Sequence, residues 1–147
     1  MDVEELLVLL MDKDTQQAYG ALQALEQISE QSDILYSYTR QFAAMVKSEQ
    51  YMLRVRGFRL FCKQARWDKE NVIDETIVQA LTILQDEKPT AVRQALAALQ
   101  EVVRYKPELW EPIGKAVGSV DVYRYKDSMR SLLEKDMQAL LAQMKQA

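Results

Sequence analysis

The sequence predicts an all-α fold: a short right-handed α-solenoid, or α-α superhelix, of about three to four helix pairs with a capping helix at each end. Composition is the first observation, because Ala, Leu, Gln, Glu, Lys and Arg dominate and are good helix formers. Four Gly and three Pro leave little material for the many turns of an all-β fold. The second observation is an internal repeat, and the third is the helical spacing of its apolar positions.

The repeat becomes visible when the chain is written in rows offset by 37 residues, which aligns similar residues without any insertion. In the first half of a row, one column is apolar and contains Ala18, Val55, Val92 and Met129. The next column is mainly basic and contains Tyr19, Arg56, Arg93 and Arg130. Two columns half a period later are apolar or aromatic: Leu35, Val72, Leu109, and Tyr36, Ile73, Trp110. Their spacing keeps the apolar residues near one face of a helix. Each row therefore holds two helices, and stacked pairs share a continuous core.

Local signals divide these rows into eight helices. The predicted ranges are roughly 3–11, 15–29, 34–47, 50–66, 71–85, 89–105, 108–119 and 126–145. Asp14 and Asp33 precede the second and third helices, where a side-chain oxygen can accept hydrogen bonds from free backbone N–H groups. Pro89 and Pro107 suit the first turn of a helix, where a missing donor is harmless.

The seventh predicted helix contains residues that disfavour a regular helix. Pro112 within it would remove a hydrogen bond to the Glu108 carbonyl, so we expect this helix to begin late or to kink. Gly114 and Gly118 each cost about 1 kcal/mol relative to Ala in an exposed helix. We expect both glycines to allow the close approach of a neighbouring helix.

The two end helices are predicted to cap the core. The first directs apolar residues inward and acids outward, namely Val3, Leu6, Leu7 and Leu10 against Asp2, Glu4 and Glu5. The last closes the other end with apolar residues at Leu132, Leu133, Leu140 and Leu141. Capped ends favour a short array over a filament.

Length and charge bound the class of protein. The 147 residues fit one domain, 1–147, with a real core. A net charge of −3 gives no long-range attraction toward nucleic acid or an anionic membrane. The start of the chain carries acids where a signal peptide carries bases, and no stretch has the apolar length of a membrane helix. We therefore expect a soluble, cytoplasmic protein.

Chemistry-bearing residues are scarce. The sequence has no His, which removes Ser-His and Cys-His nucleophile pairs and His-ligated metals. Its one cysteine, Cys62, cannot form an internal disulfide or a Cys-rich zinc site and is expected to be a buried core residue. We expect no catalytic site, no metal and no cofactor.

The pattern resembles HEAT repeats and their armadillo relatives. Residues of the clearest row that carry the likeness are Asp86, Pro89, Val92-Arg93, Ala95, Leu96 and Leu99. The preceding row has Glu49 and Val55-Arg56 at the same spacing of seven residues from acid to arginine. The first row departs with Tyr19 in place of arginine, and the last has Tyr123 in place of the acid. The resemblance implies a structural ladder in which turn acids pair with Arg56, Arg93 and Arg130.

The chain is also similar to short bacterial HEAT-like proteins labelled with the SUF iron–sulfur assembly system. This resemblance implies an accessory factor in iron–sulfur or cofactor assembly. A single cysteine could not hold a cluster, so such a factor would bind a client protein and not the metal.

A basic stripe on the fourth predicted helix is the candidate partner-binding site. Arg56, Arg59, Lys63 and Arg66 follow one another at steps of 3, 4 and 3 residues, beside an apolar face. The stripe could hold an acidic helix or phosphates, and the second helix of each HEAT pair lines the concave surface. The alternative is a solvated flank whose stems shield neighbouring apolar surface.

Bases and aromatics also alternate at three helix ends. They are Arg66-Trp67, Arg104-Tyr105 and Tyr123-Arg124-Tyr125-Lys126. Such pairs could stack and contact single-stranded nucleic acid. The alternative is that the aromatics close helix ends and fix the turns.

The leading functional hypothesis is a non-enzymatic protein–protein interaction module, or scaffold, that binds a partner on its concave helical surface. The second is a nucleic-acid-binding or DNA-repair protein of the HEAT-like glycosylase type, which the net charge disfavours. In addition, no Trp and Asp of this chain can be placed in the arrangement of those enzymes. The third is the accessory factor in cofactor assembly.

Overall fold

The all-α prediction is confirmed by a computed structural model of the chain, which describes residues 1–145. Within that range the regular structure is helical, without strands. The α-helices are α1 (Val3–Leu10), α2 (Thr15–Gln31), α3 (Thr39–Met45), α4 (Tyr51–Lys63), α5 (Val72–Ala80), α6 (Pro89–Tyr105), α7 (Trp110–Gly118) and α8 (Asp127–Lys145). Each predicted helix is present, and several are extended by a 3-10 turn.

Side-chain caps explain where the first two helices begin. The Asp2 carboxylate accepts from the Glu5 N–H at 2.8 Å, and the Asp14 carboxylate accepts from the Gln16 N–H at 3.0 Å. The third helix differs from its prediction, because a 3-10 turn (Tyr36–Tyr38) precedes α3. The Asp33 carbonyl, and not its side chain, accepts from the Tyr36 N–H.

The seventh helix begins late, as Pro112 predicted. A 3-10 turn (Pro107–Leu109) comes first, and α7 begins at Trp110, which places Pro112 in the first turn. The missing N–H of proline costs nothing there, because the first N–H groups of a helix have no intrahelical partner.

The helices pack in two rows. Helix α2 contacts α4, α4 contacts α6, and α6 contacts α8, while α3 contacts α5 and the 3-10 end of α5 contacts α7. The core lies between the rows, and its largest fully buried side chains include Phe42, Phe58 and Phe61. Cys62 is fully buried among them, as predicted.

The end helices cap the core as expected. Leu6 and Leu10 of α1 are buried, and Val3 and Leu7 pack against the core in half-buried positions. At the other end, Leu133 and Leu140 are buried in α8, whereas Leu132 and Leu141 are half-buried.

Polar side chains link the connections between helices along both edges of the rows. On one edge the Tyr36 hydroxyl donates to Asp68 at 2.6 Å, and Asp68 contacts the Lys106 ammonium at 3.1 Å. On the other edge the Asp86 carboxylate accepts from Arg54, and the Asp86 carbonyl accepts from the Tyr125 hydroxyl. These contacts join three successive helix pairs through side chains and a backbone carbonyl located in or near the turns between helices.

The ladder that the HEAT resemblance implies is not formed by the expected residues. Arg54 pairs with Asp86 at 2.7 Å. Arg56 instead donates to the Leu10 carbonyl at 3.0 Å, because residues two apart on a helix point to different sides. The other two arginines that were expected to pair with turn acids both bind acids of α8. Arg93 binds Asp136, and Arg130 binds Asp127.

The explanation expected for Gly114 and Gly118 is wrong. A Cβ added at either position meets nothing within 4 Å, so no neighbouring helix requires a glycine there. Close approach occurs at Gly57 of α4, where a Cβ would lie 2.7 Å from the Phe42 carbonyl oxygen and against the Met45 Cβ. Helices α3 and α4 can pack closely only because residue 57 lacks a side chain.

Gly57→Ala is therefore expected to destabilise the chain by about 2 kcal/mol, because the added methyl overpacks a rigid contact. Gly114→Ala is the matched control and should stabilise by up to about 1 kcal/mol through helix propensity. Urea unfolding followed by far-ultraviolet circular dichroism measures both. Equal effects of the two substitutions would contradict the close contact at Gly57.

Candidate functional site

A groove of about 440 Å³ crosses the row of even-numbered helices. Its floor is formed by the small side chains Ala97 and Ala98 of α6. The walls are polar and come from four helices: Glu26 of α2, Arg59 and Lys63 of α4, Gln94, Glu101 and Arg104 of α6, and Gln143 of α8. The groove exists because alanines on the exposed face of α6 stand between longer side chains on both sides.

A second hollow continues the groove along α6. It has about 320 Å³, and it shares Gln94 and Ala97 with the first. Thr90 lies at its far end, so the lined face of α6 extends from Thr90 to Arg104, about 21 Å at 1.5 Å per residue. That length suits a polypeptide segment better than a small metabolite.

Arg59 is held in the wall by three contacts. Its guanidinium donates to Glu26 at 3.0 and 2.8 Å and to the Gln94 side-chain oxygen at 3.0 Å. Burial alone would lower the pKa of Arg59, but the bonds to Glu26 outweigh it and raise the pKa. This wall residue therefore links α4 to both α2 and α6.

Lys63 bridges two acids on neighbouring helices. Its ammonium lies 2.8 Å from Glu30 of α2 and 3.2 Å from Glu101 of α6. Burial opposes the charge, yet the hydrogen bonds to the two carboxylates raise the pKa of Lys63. The same bond from Lys63 lowers the pKa of Glu30. These two shifts favour the charged forms of Lys63 and Glu30.

Arg66 lies just beyond Lys63, in the 3-10 turn that follows α4. It donates to the Glu30 carbonyl at 2.8 Å and to Glu101 at 3.3 Å, and its guanidinium lies 5.3 Å from the centre of the Tyr105 ring. Its Nε is buried without a hydrogen-bond partner among residues 1–145.

Arg56 does not belong to this surface. Its residue surface is 6% exposed, and it donates to the carbonyl at the C-terminal end of α1. Burial lowers its pKa. The predicted stripe therefore divides into two wall residues, Arg59 and Lys63, one residue that lines a neighbouring hollow, Arg66, and one internal brace, Arg56.

The aromatics at helix ends also divide into two groups. Trp67 donates to the Ser29 carbonyl at 2.6 Å, and Tyr125 donates to the Asp86 carbonyl, so both fix turns. Tyr105 is 37% exposed and Tyr123 is 73% exposed, with Arg130 lying 4.9 Å from the Tyr123 ring. Tyr105 lines a hollow next to the groove together with Arg66 and Trp67.

A buried lysine forms a separate cluster that nothing in the sequence indicated. The Lys106 ammonium lies 2.7 Å from Asp74, 3.1 Å from Asp68 and Glu108, and 3.0 Å from the Asn71 side-chain oxygen. Burial alone would lower the pKa of Lys106, but these hydrogen bonds raise it well above the ordinary value. A lysine held in its charged form is no nucleophile, so the cluster is structural.

Three further findings concern metal binding, thiol reactivity and membrane-spanning helices. Residues 1–145 contain no group of three or more His, Cys, Asp or Glu side chains arranged to hold a metal ion. Burial raises the pKa of Cys62 well above its usual value, which makes its thiol unreactive. None of the described helices has the length and apolar character needed to cross a bilayer.

Comparison with protein-family models, with curated proteins and with solved structures gave no match for this chain.

Sequence reasoning missed the part of the groove that lies on α6. Gln94, Ala97, Glu101 and Arg104 follow one another at steps of 3, 4 and 3 residues on the face opposite the buried one. The available signal was a pair of alanines, Ala97 and Ala98, that interrupt an otherwise polar face of α6. This signal does not reveal which helices lie on either side of α6.

Proposed function

We propose that the chain is a HEAT-like α-solenoid that acts as a non-enzymatic protein-binding module, with the groove over α6 as its binding surface. The observation that supports this most is the continuity of the groove across α2, α4, α6 and α8, with Ala97 and Ala98 as its floor. A surface built from successive helix pairs is what repeat proteins offer to an extended partner.

The walls of the groove favour binding because they are already ordered. Arg59, Lys63 and Glu101 are fixed by contacts between helices, so a partner would not have to immobilise them. Preorganised side chains reduce the entropy lost on association. The mixture of both charges with small apolar residues fits a non-obligate interface, which is about as polar as the rest of a protein surface.

The basic stripe enters this proposal in a reduced form. Arg59, Lys63 and Arg66 remain candidate partner-binding residues, whereas Arg56 braces α1 against α4. Replacing all four with alanine would combine loss of binding with loss of stability. A substitution in the floor of the groove is a cleaner test, since Ala97 is exposed and makes no polar side-chain contact.

Photo-crosslinking tests the proposal. We expect benzoylphenylalanine at position 97 to form a discrete protein adduct in the native cell, because it would lie inside the interface. The same residue at position 44 is the matched control, since Ala44 is exposed on α3, in the other row of helices. Adducts are resolved by gel electrophoresis and identified by mass spectrometry.

Two outcomes would count against a protein-binding groove. One is the same adduct pattern at positions 97 and 44. The other is crosslinking to nuclease-sensitive material, accompanied by nucleic-acid affinity that falls steeply with salt in a filter-binding titration.

A further inference from the structure

We propose that the groove takes an acidic polypeptide segment, and that a carboxylate of this segment pairs with Arg104 beside Tyr105. The inference deepens the proposed function and depends on it. It follows from the charges that remain unpaired in the groove once the contacts between helices are formed.

Most charged groups of the groove neutralise one another. Arg59 is paired with Glu26, and Lys63 and Arg66 share Glu101, with Glu30 as the second partner of Lys63. With the partners Arg66 and Glu30 included, four cations, among them Arg104, therefore stand against three anions. The surplus positive charge lies at Arg104, in the last turn of α6.

Arg104 is free to receive a ligand. Arg104 is exposed, and its guanidinium forms no hydrogen bond or ion pair with another of residues 1–145. The contact that it makes is with the Tyr105 ring, 5.5 Å from the ring centre. A guanidinium has five N–H donors in a planar fork that matches the two oxygens of a carboxylate.

Tyr105 and Arg66 lie beside Arg104 and line a neighbouring hollow. The Arg66 guanidinium lies 5.3 Å from the centre of the same ring, so two cations contact one aromatic side chain. The two guanidinium groups repel each other and make the potential near the ring positive. The carboxylate of an acidic side chain bound here would reduce this repulsion and would also pair with Arg104.

The remainder of the groove suits a peptide backbone. Gln94 and Gln143 lie on either side of the alanine floor, and primary amides both donate and accept. The Gln143 side-chain oxygen is buried without a hydrogen-bond partner among residues 1–145. Ala97 and Ala98 leave space for a main chain to approach closely.

A nucleic-acid backbone fits this groove less well. Affinity for a phosphate chain comes from many lysines and arginines free to neutralise successive phosphates. In the groove, Arg59 and Lys63 are already paired with Glu26, Glu30 and Glu101, so they cannot neutralise successive phosphates. One free arginine matches a single acidic side chain.

Selection from a random peptide library displayed on phage tests the inference. The full chain is used as bait beside Arg104→Glu, the groove-blocking Ala97→Trp and the control Lys115→Glu, which reverses an exposed charge on α7. We expect peptides selected on the unaltered chain to be enriched in Asp and Glu. Selection on Arg104→Glu should lose this enrichment, whereas Lys115→Glu should retain it.

Binding of the selected peptides is then measured by fluorescence anisotropy. We expect Arg104→Glu to weaken binding of an acidic peptide about tenfold, because attraction is replaced by repulsion. Arg104→Lys should recover part of that loss, since it restores the charge without the planar fork. Ala97→Trp should abolish binding, and thermal melting checks that each variant is folded.

The outcomes separate the two proposals. Peptides that depend on Ala97 but show no acidic enrichment, or bind Arg104→Glu unchanged, would overturn the acidic segment and leave the groove in place. A library that yields no peptide sensitive to Ala97→Trp would overturn both.

Discussion

Lys106→Met is expected to lower the free energy of unfolding by about 3 to 5 kcal/mol, the cost of removing one partner from a buried ion cluster. The Lys106 side chain is 6% exposed, and that of Asp68 is fully buried. Methionine keeps the length of the side chain but removes the charge, so Asp68 and Asp74 would face each other without a cation. Urea unfolding followed by circular dichroism measures the loss.

The control is Lys115→Met, because Lys115 is exposed on α7. We expect that substitution to change stability by less than about 0.5 kcal/mol. The double variant Asp68→Asn with Lys106→Met should be less destabilised than the sum of its single variants, since the unpaired anion is removed as well. Additive effects would contradict an ion cluster at this edge.

The contribution of Lys106 also has a predicted pH range. Its pKa is higher in the folded chain than in the unfolded chain, so its stabilisation is complete below its unfolded pKa of about 10.4. It is lost only as the pH rises through the folded value. The difference in stability between the unaltered chain and Lys106→Met should therefore be constant between pH 7 and 9. A difference that shrinks across this range would contradict the raised pKa.

Asp86→Ala is expected to cost about 3 kcal/mol, at the lower end of the range for a buried ion pair. The Asp86 side chain is 3% exposed and pairs with Arg54, which is 16% exposed. The same carboxylate accepts from the Lys88 N–H at 2.9 Å, just before α6 begins. Alanine would leave the half-buried Arg54 guanidinium without its counter-ion and the Lys88 N–H without its acceptor.

Two substitutions isolate the charge at this edge. Asp86→Asn keeps an acceptor for the Lys88 N–H but loses the charge, so we expect it to be less harmful than Asp86→Ala. Glu87→Ala changes the exposed neighbouring acid and should be nearly neutral. Equal destabilisation by Asp86→Ala and Glu87→Ala in urea unfolding would show that the pair with Arg54 contributes little.

Helix positions were predictable because their signals are local. Apolar spacing, the Asp14 cap and the prolines act within one or two turns, and the predicted ranges agree with the structure to within two residues except around the 3-10 turns. The α3 boundary was placed too early, because Asp33 resembles an N-cap in sequence while its carbonyl forms the turn.

The candidate site was predicted only in part. Two residues of the basic stripe, Arg59 and Lys63, line the groove, but their partners Glu26, Glu30 and Glu101 lie 33 to 38 residues away along the chain. Contacts over such separations depend on which helices become neighbours. The fourth residue, Arg56, matches the others in spacing, and only the position of α1 above it explains its burial.

The sequence by itself determined that this chain is helical, where its helices lie and which faces are buried, because helix propensity and apolar spacing act over a few residues. Tertiary structure decided which charged residues pair, which glycine permits a close contact and where a groove opens. Arg54 rather than Arg56 meets Asp86, and Gly57 rather than Gly114 contacts a neighbouring helix. Those outcomes depend on distances between helices, which packing sets and local sequence does not encode.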